Sequence, residues 1–217
     1  MRIESLALLG LASWLAVSAI ACRSLRRVHV HPVPQEASRA FAEARATVDG
    51  RGEQARAPRD ARVARAARER ARELARDALE AAPGWVAPAR FLDDLDREEL
   101  RGVEALAARR EALAREGETA GELYLVGRLE GVDGEARFER AVDLDPGHAW
   151  GRHGLAWSAQ RRGDLRNAIS HERAAVARAR DPWERIYFTS ALARFLAEAD
   201  RQDEAFAVIA ERLAERD

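Results

Sequence analysis

A short pattern of small residues recurs along this chain at an interval in the thirties. It runs small residue, three others, a bulky residue, two others, Ala, and in most copies a Pro or Gly five positions on. The clearest copies are Ala71-Ala75-Ala78-Pro83 and Gly134-Phe138-Ala141-Pro146. Ala105, Arg109, Ala112 and Gly117 follow the first by 34 residues, and Ala168, Glu172, Ala175 and Arg180 follow Gly134 by 34. A last copy starts at Ala205 with Ile209 and Arg212. Successive starts are 34, 29, 34 and 37 residues apart, so one unit is clipped by five residues and another carries three extra. A period of this length points to a helical solenoid rather than a one-core globule, because a single unit cannot bury its apolar face alone.

A second mark lies upstream of the small residues. Leu92, Leu155 and Leu192 stand 13 residues before Ala105, Ala168 and Ala205. Leu155-Ala156 and Leu192-Ala193 are apolar-then-small pairs, and Val126-Gly127 is the matching pair in the short unit. Small residues let two helix axes approach while a bulky one fills the groove beside them. Pro or Gly then ends the second helix and turns the chain into the next unit.

These marks resemble the tetratricopeptide repeat, in which W-x2-L-G-x2-Y, A-x3-F and P are spread over 34 residues. The best match is Phe138 to Pro146, and the resemblance covers roughly residues 60–216. Arg109, Glu172, Arg180 and Arg212 depart from the pattern, so the repeat is degenerate. The resemblance implies an all-α fold of helix-turn-helix units stacked as a right-handed solenoid, with a repeat domain over 60–217.

The helical periodicity agrees. Ala37, Ala40, Phe41, Ala44 and Val48 mark a helix over 36–48, part of a separate N-terminal helix and loop at 36–59. Asp60 is a candidate N-cap for a helix reaching Ala82. Further helices are expected near 86–98, 100–115, 118–129, 133–144, 148–162, 164–179, 183–199 and 201–215. No stretch alternates long enough for a strand.

The 36 basic residues are all Arg and the net charge is −1, so no global field points to nucleic acid or membrane. Residues 51–76 hold nine Arg against four acids, and 93–104 reverse the sign with Asp93, Asp94, Asp96, Glu98, Glu99 and Glu104. Both runs read as solvated helix faces, the first laced with pairs such as Arg65–Glu69. No stacking aromatics interrupt the Arg run, so no nucleic-acid partner is expected.

Leu6 to Ala21 is apolar except for Ser13 and Ser18, and it ends Ala19-Ile20-Ala21-Cys22 with the only cysteine. Sixteen residues are short for a membrane span and suit a secretory signal, 1–21. The Cys directly after it resembles a bacterial lipobox, although Ala19 stands where Leu is usual. Cys22 is then the lipidated residue, and 22–35 a tether in which His31-Pro32-Val33-Pro34 is extended. Arg23, Arg26 and Arg27 favour a second topology, an uncleaved anchor with the repeats in the cytoplasm.

Catalytic signatures are sparse. His29 and His31 have a chelating spacing and His148, His153 and His171 share a unit, but three or four convergent ligands are needed, and capping or surface roles fit them better. No P-loop, G-x-G-x-x-G or G-x-S-x-G occurs. Neither cofactor nor metal is expected, and a small enzyme is the third reading.

The positive expectation is a binding groove. In tetratricopeptide repeats the first helix of each unit lines the concave side. Carried over, this places Trp150, His153, Trp157 and Gln160 on one helix face, with Arg161 adjoining. Tyr187, Ser190 and Arg194 share a face in the next unit, and Arg90, Asp94 and Arg97 in an earlier one. Trp, Tyr and Arg dominate protein-binding hot spots. The competing reading makes Trp150 and Trp157 packing residues between units. The functional expectation is a non-enzymatic protein or peptide scaffold, lipid-anchored in the cell envelope and facing the periplasm.

Overall fold

The structure is a computed structural model that describes residues 33–49 and 61–214. The expected signal segment, Cys22, His29 and His31 lie outside the described residues, as does the chain between 50 and 60. The described residues all belong to one compact unit.

The described residues fold into ten α-helices and one short 3-10 turn, with no strand among them. The helices are α1 (Gln35–Asp49), α2 (Ala61–Ala81), α3 (Val86–Glu98), α4 (Gly102–Glu116) and α5 (Ala120–Glu130). The 3-10 turn Gly131–Gly134 leads into α6 (Glu135–Leu144), followed by α7 (Ala149–Arg161), α8 (Leu165–Val176), α9 (Pro182–Glu198) and α10 (Gln202–Ala214). They pair in order as five helical hairpins, each packed on the next, which is an all-α tetratricopeptide-like solenoid.

Local chemistry sets the boundaries. Thr119, Asp164 and Asp181 cap α5, α8 and α9 by accepting hydrogen bonds from first-turn backbone N–H groups, and Pro182 takes the first helical position of α9. His148 caps α7 through Nδ1, which accepts from Gly151 N–H at 3.0 Å. Burial holds His148 down at a pKa of about 4, which keeps that nitrogen an acceptor. Gly117 and Gly163 follow α4 and α7 at φ of 89° and 78°, where a Cβ would be strained.

The small residues of the repeat do what their spacing predicts. Ala71, Ala75, Ala78, Ala141, Ala168 and Ala175 are fully buried. The third hairpin is packed so closely that a Cβ on Gly134 would collide with the backbone of Gly127, and one on Gly154 would meet the Phe138 ring at 2.5 Å. Phe138 fills the groove between α5 and α7, with only 4 % of its surface exposed.

Two departures from the pattern are resolved by polar partners brought in with them. Arg109 occupies the Phe138 position of the second hairpin and bonds to Asp93 at 3.2 Å, Glu122 at 3.0 Å and the Ala89 carbonyl at 3.3 Å. Glu172 occupies it in the fourth hairpin, fully buried, with both oxygens on His153 Nδ1 at 2.9 and 3.0 Å. In the last hairpin Ile209 is left 43 % exposed, because no further helix covers it among the described residues.

Two sequence expectations change. The helix at 36–48 is not separate from the repeats: α1 packs along α2 as the first arm of a hairpin, so the boundary expected at residue 60 does not divide them. The acidic run 93–104 is not simply a solvated face. Asp93 is buried, Asp94 takes Arg128 at 2.6 Å, and Asp96 joins Arg72 and Arg101 at 3.0 and 2.7 Å. Desolvation lifts Asp93 to a pKa of about 6 against the opposing pull of Arg109 and Arg128. On α2 the Arg side chains pair with Glu43, Glu73 and Glu69, and Arg72 reaches across to Asp96 and Glu99.

Candidate functional site

Aromatic side chains from all five first helices converge. Phe41 of α1 sits edge-on against Trp85, Phe91 and Trp183 at ring separations of 5.1, 5.8 and 5.2 Å. Tyr124 of α5 lies 5.3 Å from Trp150 of α7, which meets Tyr187 and Phe188 of α9 at 5.4 and 4.8 Å. Buried indoles need partners for their N–H, and the start of α9 supplies both. Trp85 donates to Asp181 Oδ2 at 2.9 Å and Trp150 to Glu184 Oε1 at 2.7 Å. Glu184 is fully buried, and desolvation, reinforced by neighbouring Asp181, raises its pKa to about 7. Phe41–Trp183 and Trp85–Asp181 thus join the first two hairpins directly to the last.

This convergence changes the expected groove. Trp150 and His153 are 2 and 3 % exposed, so they pack between hairpins instead of facing a partner. The face that carries them points at α9, because the helices close on one another through large rings. His153 is committed twice: its Nε2 accepts the Trp157 indole N–H at 3.0 Å, which puts the ring proton on Nδ1 facing Glu172. Arg90 is also inward, its guanidinium 4.4 Å over Tyr187 and 5.3 Å over Trp150, with Asp94 at 3.8 Å. Arg97 is exposed at the end of α3, and Arg161 reaches the Gly131 carbonyl at 2.9 Å, which ties the α7 end to the third hairpin.

Four of the expected residues remain at a surface together. Trp157 and Tyr187 are half-buried, Arg194 is exposed with its guanidinium 4.1 Å over Trp157, and Gln160 donates to Glu198 beside it at 2.9 Å. Trp157, Tyr187 and Arg194 border a trough of about 520 Å³ whose opposite wall is the outer side of α1, contributed by Ala42, Arg45 and Ala46. Trp183 and Ile186 complete its floor. Arg45 lies 4.8 Å over the Trp183 ring.

Sequence reasoning missed Arg45, Trp183 and Ile186. Trp183 and Ile186 precede Tyr187 and Ser190 by four residues each, so extending that face by one helical turn would have found them. Nothing in the spacing places α1 beside α9. No group of three metal-ligating side chains occurs among the described residues, and no described helix is long and apolar enough to cross a membrane.

No protein-family model matches the chain, and no curated protein matches it. Solved structures do. The chain is similar to TTC0263, a thermophilic tetratricopeptide-repeat protein of Thermus thermophilus. Identity is 19 %, with 70 % of this chain and 86 % of that one covered and a TM-score of 0.51. It is also similar to a chain of the Cut9–Hcn1 hetero-tetramer of the APC/C, at 15 % identity and a TM-score of 0.52, covering 82 % of this chain and 37 % of that one. MamA matches at 16 % identity, 68 % and 88 % coverage and a TM-score of 0.46. At these identities the likeness to TTC0263 and to the Cut9–Hcn1 chain concerns architecture, and with the interlock of Gly127, Gly134 and Phe138 it shows that the fold is of the tetratricopeptide type.

Proposed function

We propose that this protein is a non-enzymatic scaffold that binds a peptide or protein segment in the trough between α1, α7 and α9. The observation that carries the reading is the trough itself: an aromatic floor left half-exposed although the rings it meets beneath, Phe41, Trp150, Phe188 and Phe195, are all buried. Pockets of this volume, apolar with a few fixed polar groups, are the usual form of a binding site. A half-buried Trp and Tyr under arginines have the composition of an interface hot spot. The fold supports the same reading, since stacked helical hairpins present extended binding surfaces.

A photo-crosslinking amino acid placed at Ser190 in the trough, and for comparison at Val63 on α2, tests it in cells. Discrete adducts from Ser190 that vanish on Trp157→Ala, with none from Val63, are expected. Equal adducts from both positions would remove the trough as the binding site.

The second part of the proposal is the anchor. The apolar run 6–21 followed by Cys22 supports a lipid tether that holds the scaffold on an envelope membrane, facing the periplasm, for assembly of a protein complex. The alternative is an uncleaved anchor with the scaffold in the cytoplasm. Labelling cells with a clickable fatty acid separates them: label on the wild type that is lost in Cys22→Ser is expected, and an unlabelled wild type rejects the lipid tether.

A further inference from the structure

We infer that α10 is a self-association surface, which pairs antiparallel with α10 of a second copy of this chain about a two-fold axis between Ile209 and Ala210. The inference does not depend on the trough, whose lining includes no residue of α10. Its basis is the repeat register. Phe206, Ile209 and Leu213 stand one, four and eight residues after Ala205, the small residue that opens the last copy of the repeat. They are 70, 43 and 58 % exposed. In the four preceding hairpins every residue at those three positions is buried or half-buried, because the first helix of the next hairpin packs there. On α8 the positions hold Ile169, Glu172 and Val176, which face α9. The stripe on α10 is therefore the face that carries a neighbouring helix in every earlier hairpin, left open here among the described residues.

The composition of the stripe selects the occupant. Each earlier set contains one charged residue, Arg72, Arg109, Glu135 or Glu172. Each is answered by a polar side chain: Asp96 for Arg72, Asp93 and Glu122 for Arg109, Arg162 for Glu135, His153 for Glu172. The set on α10 contains none. A two-fold contact is self-complementary, so a charge near its axis would meet its own copy at a cost. An uncharged stripe is the kind that a second copy can cover. The stripe is also symmetric end to end. Phe206 and Leu213 lie equally far from the point between Ile209 and Ala210, so in an antiparallel pair Phe206 of each copy meets Leu213 of the other. Ala210 at the centre lets the two helix axes approach. Glu211, the exposed acid nearest the axis, falls about 150° around the helix from the stripe and stays clear of the contact.

The test is cross-linking of the full chain in cells, with Cys22→Ser as the background. Ala210→Cys is expected to form a disulfide-linked dimer when an oxidant is added, because the axis brings its two copies within bonding reach. Leu213→Cys is expected to form none, since its two copies lie about 10 Å apart along the helices. Two copies with different tags should co-purify from one cell. Phe206→Glu should abolish this by placing a carboxylate against an apolar side chain, and Leu213→Glu, at the other end of the pairing, should do the same. Circular dichroism melts check that these exposed-site variants stay folded, and Ala210→Cys reports on the pairing without altering the three large side chains. Cross-linking through Leu213→Cys would overturn the antiparallel arrangement. The inference would also be overturned by absence of a dimer at Ala210→Cys, by co-purification that survives Phe206→Glu, or by an Ala210→Cys adduct with a different protein in place of the second copy. None of these outcomes bears on the trough.

Discussion

The third and fourth hairpins use the same repeat position in opposite ways. In the third, Phe138 is locked against Gly154 and Gly127, an interface with no charge to desolvate. In the fourth, Glu172 fills the slot, and its carboxyl faces a chain of hydrogen bonds through His153 to Trp157. The second hairpin follows the fourth, with Arg109 among Asp93, Glu122 and a carbonyl. The position thus demands volume at the meeting of two hairpins and not a particular polarity. A charged occupant meets that demand only where a counter-group is buried with it.

The largest effects should come from emptying the two slots. Phe138→Ala is expected to cost about 3–5 kcal/mol, since a ring is lost and Gly127 and Gly154 cannot collapse into the void. Glu172→Ala should cost a similar amount, about 3–5 kcal/mol, because it leaves the His153 N–H buried without a partner as well as a cavity. Chemical denaturation measures both. The comparison is broken by the double variant His153→Phe with Glu172→Leu. If volume is what counts, this pair should recover most of the loss, as replacing a buried polar pair by well-packed apolar side chains is often neutral or stabilising. A double variant as unstable as Glu172→Ala would show that the fourth slot requires its hydrogen bonds.

A smaller effect separates the regions by pH. Glu184 and Asp93 have folded-state pKa values of about 7 and about 6, raised in each case by desolvation, whereas the Phe138 slot has nothing to titrate. A carboxyl whose pKa is raised on folding binds its proton more tightly in the folded chain. Its contribution is complete below the unfolded value and is lost as pH rises through the folded one. These two carboxyls therefore contribute stability that falls between about pH 4 and 7, by on the order of 1–3 kcal/mol, while His148, which burial lowers to about 4, contributes in the opposite sense over the same range. Glu184→Gln keeps an acceptor for the Trp150 indole and should remove about half of the carboxyl contribution, read as the difference in slope from the wild type. An unchanged slope in this variant would move the effect to Asp93.

The helices were legible because their stops are chemical. Pro182 after Asp181, Gly117, Gly163 and the Asp164 cap each act within one turn, so the expected 86–98 is observed as Val86–Glu98 and 183–199 as Pro182–Glu198. The repeat register was legible because small residues must lie where helices touch. The site was only half legible. Periodicity put Trp150, His153 and Trp157 on one face of α7, but which part of that face is open depends on how tightly successive hairpins wind. Phe41 and Trp183, 142 residues apart, decide that. Charge at a repeat slot was the overlooked clue. An Arg109 or Glu172 at a position the fold buries obliges a buried partner, and that requirement would have drawn Asp93 and His153 out of their solvent-facing and surface readings.

The smallest test concerns turns, where the second and third hairpins again differ. The third closes on Gly131 at φ 70°, whereas the second closes on Leu100 at φ 62° with 92 % of its surface exposed. A left-handed backbone costs a branched side chain roughly 1–2 kcal/mol, and an exposed Leu recovers nothing from packing. Leu100→Gly relieves the strain but adds freedom to the unfolded chain, so the net expected gain is about 0.5–1 kcal/mol, read as a rise in melting temperature. The backbone bonds of the turn, Leu100 N–H to the Arg97 carbonyl and Arg101 N–H to the Asp96 carbonyl, are kept in the variant. A loss of stability instead would mean that Leu100 makes a contact that outweighs its strain, and the tip of the second hairpin would become a surface to examine beside the trough.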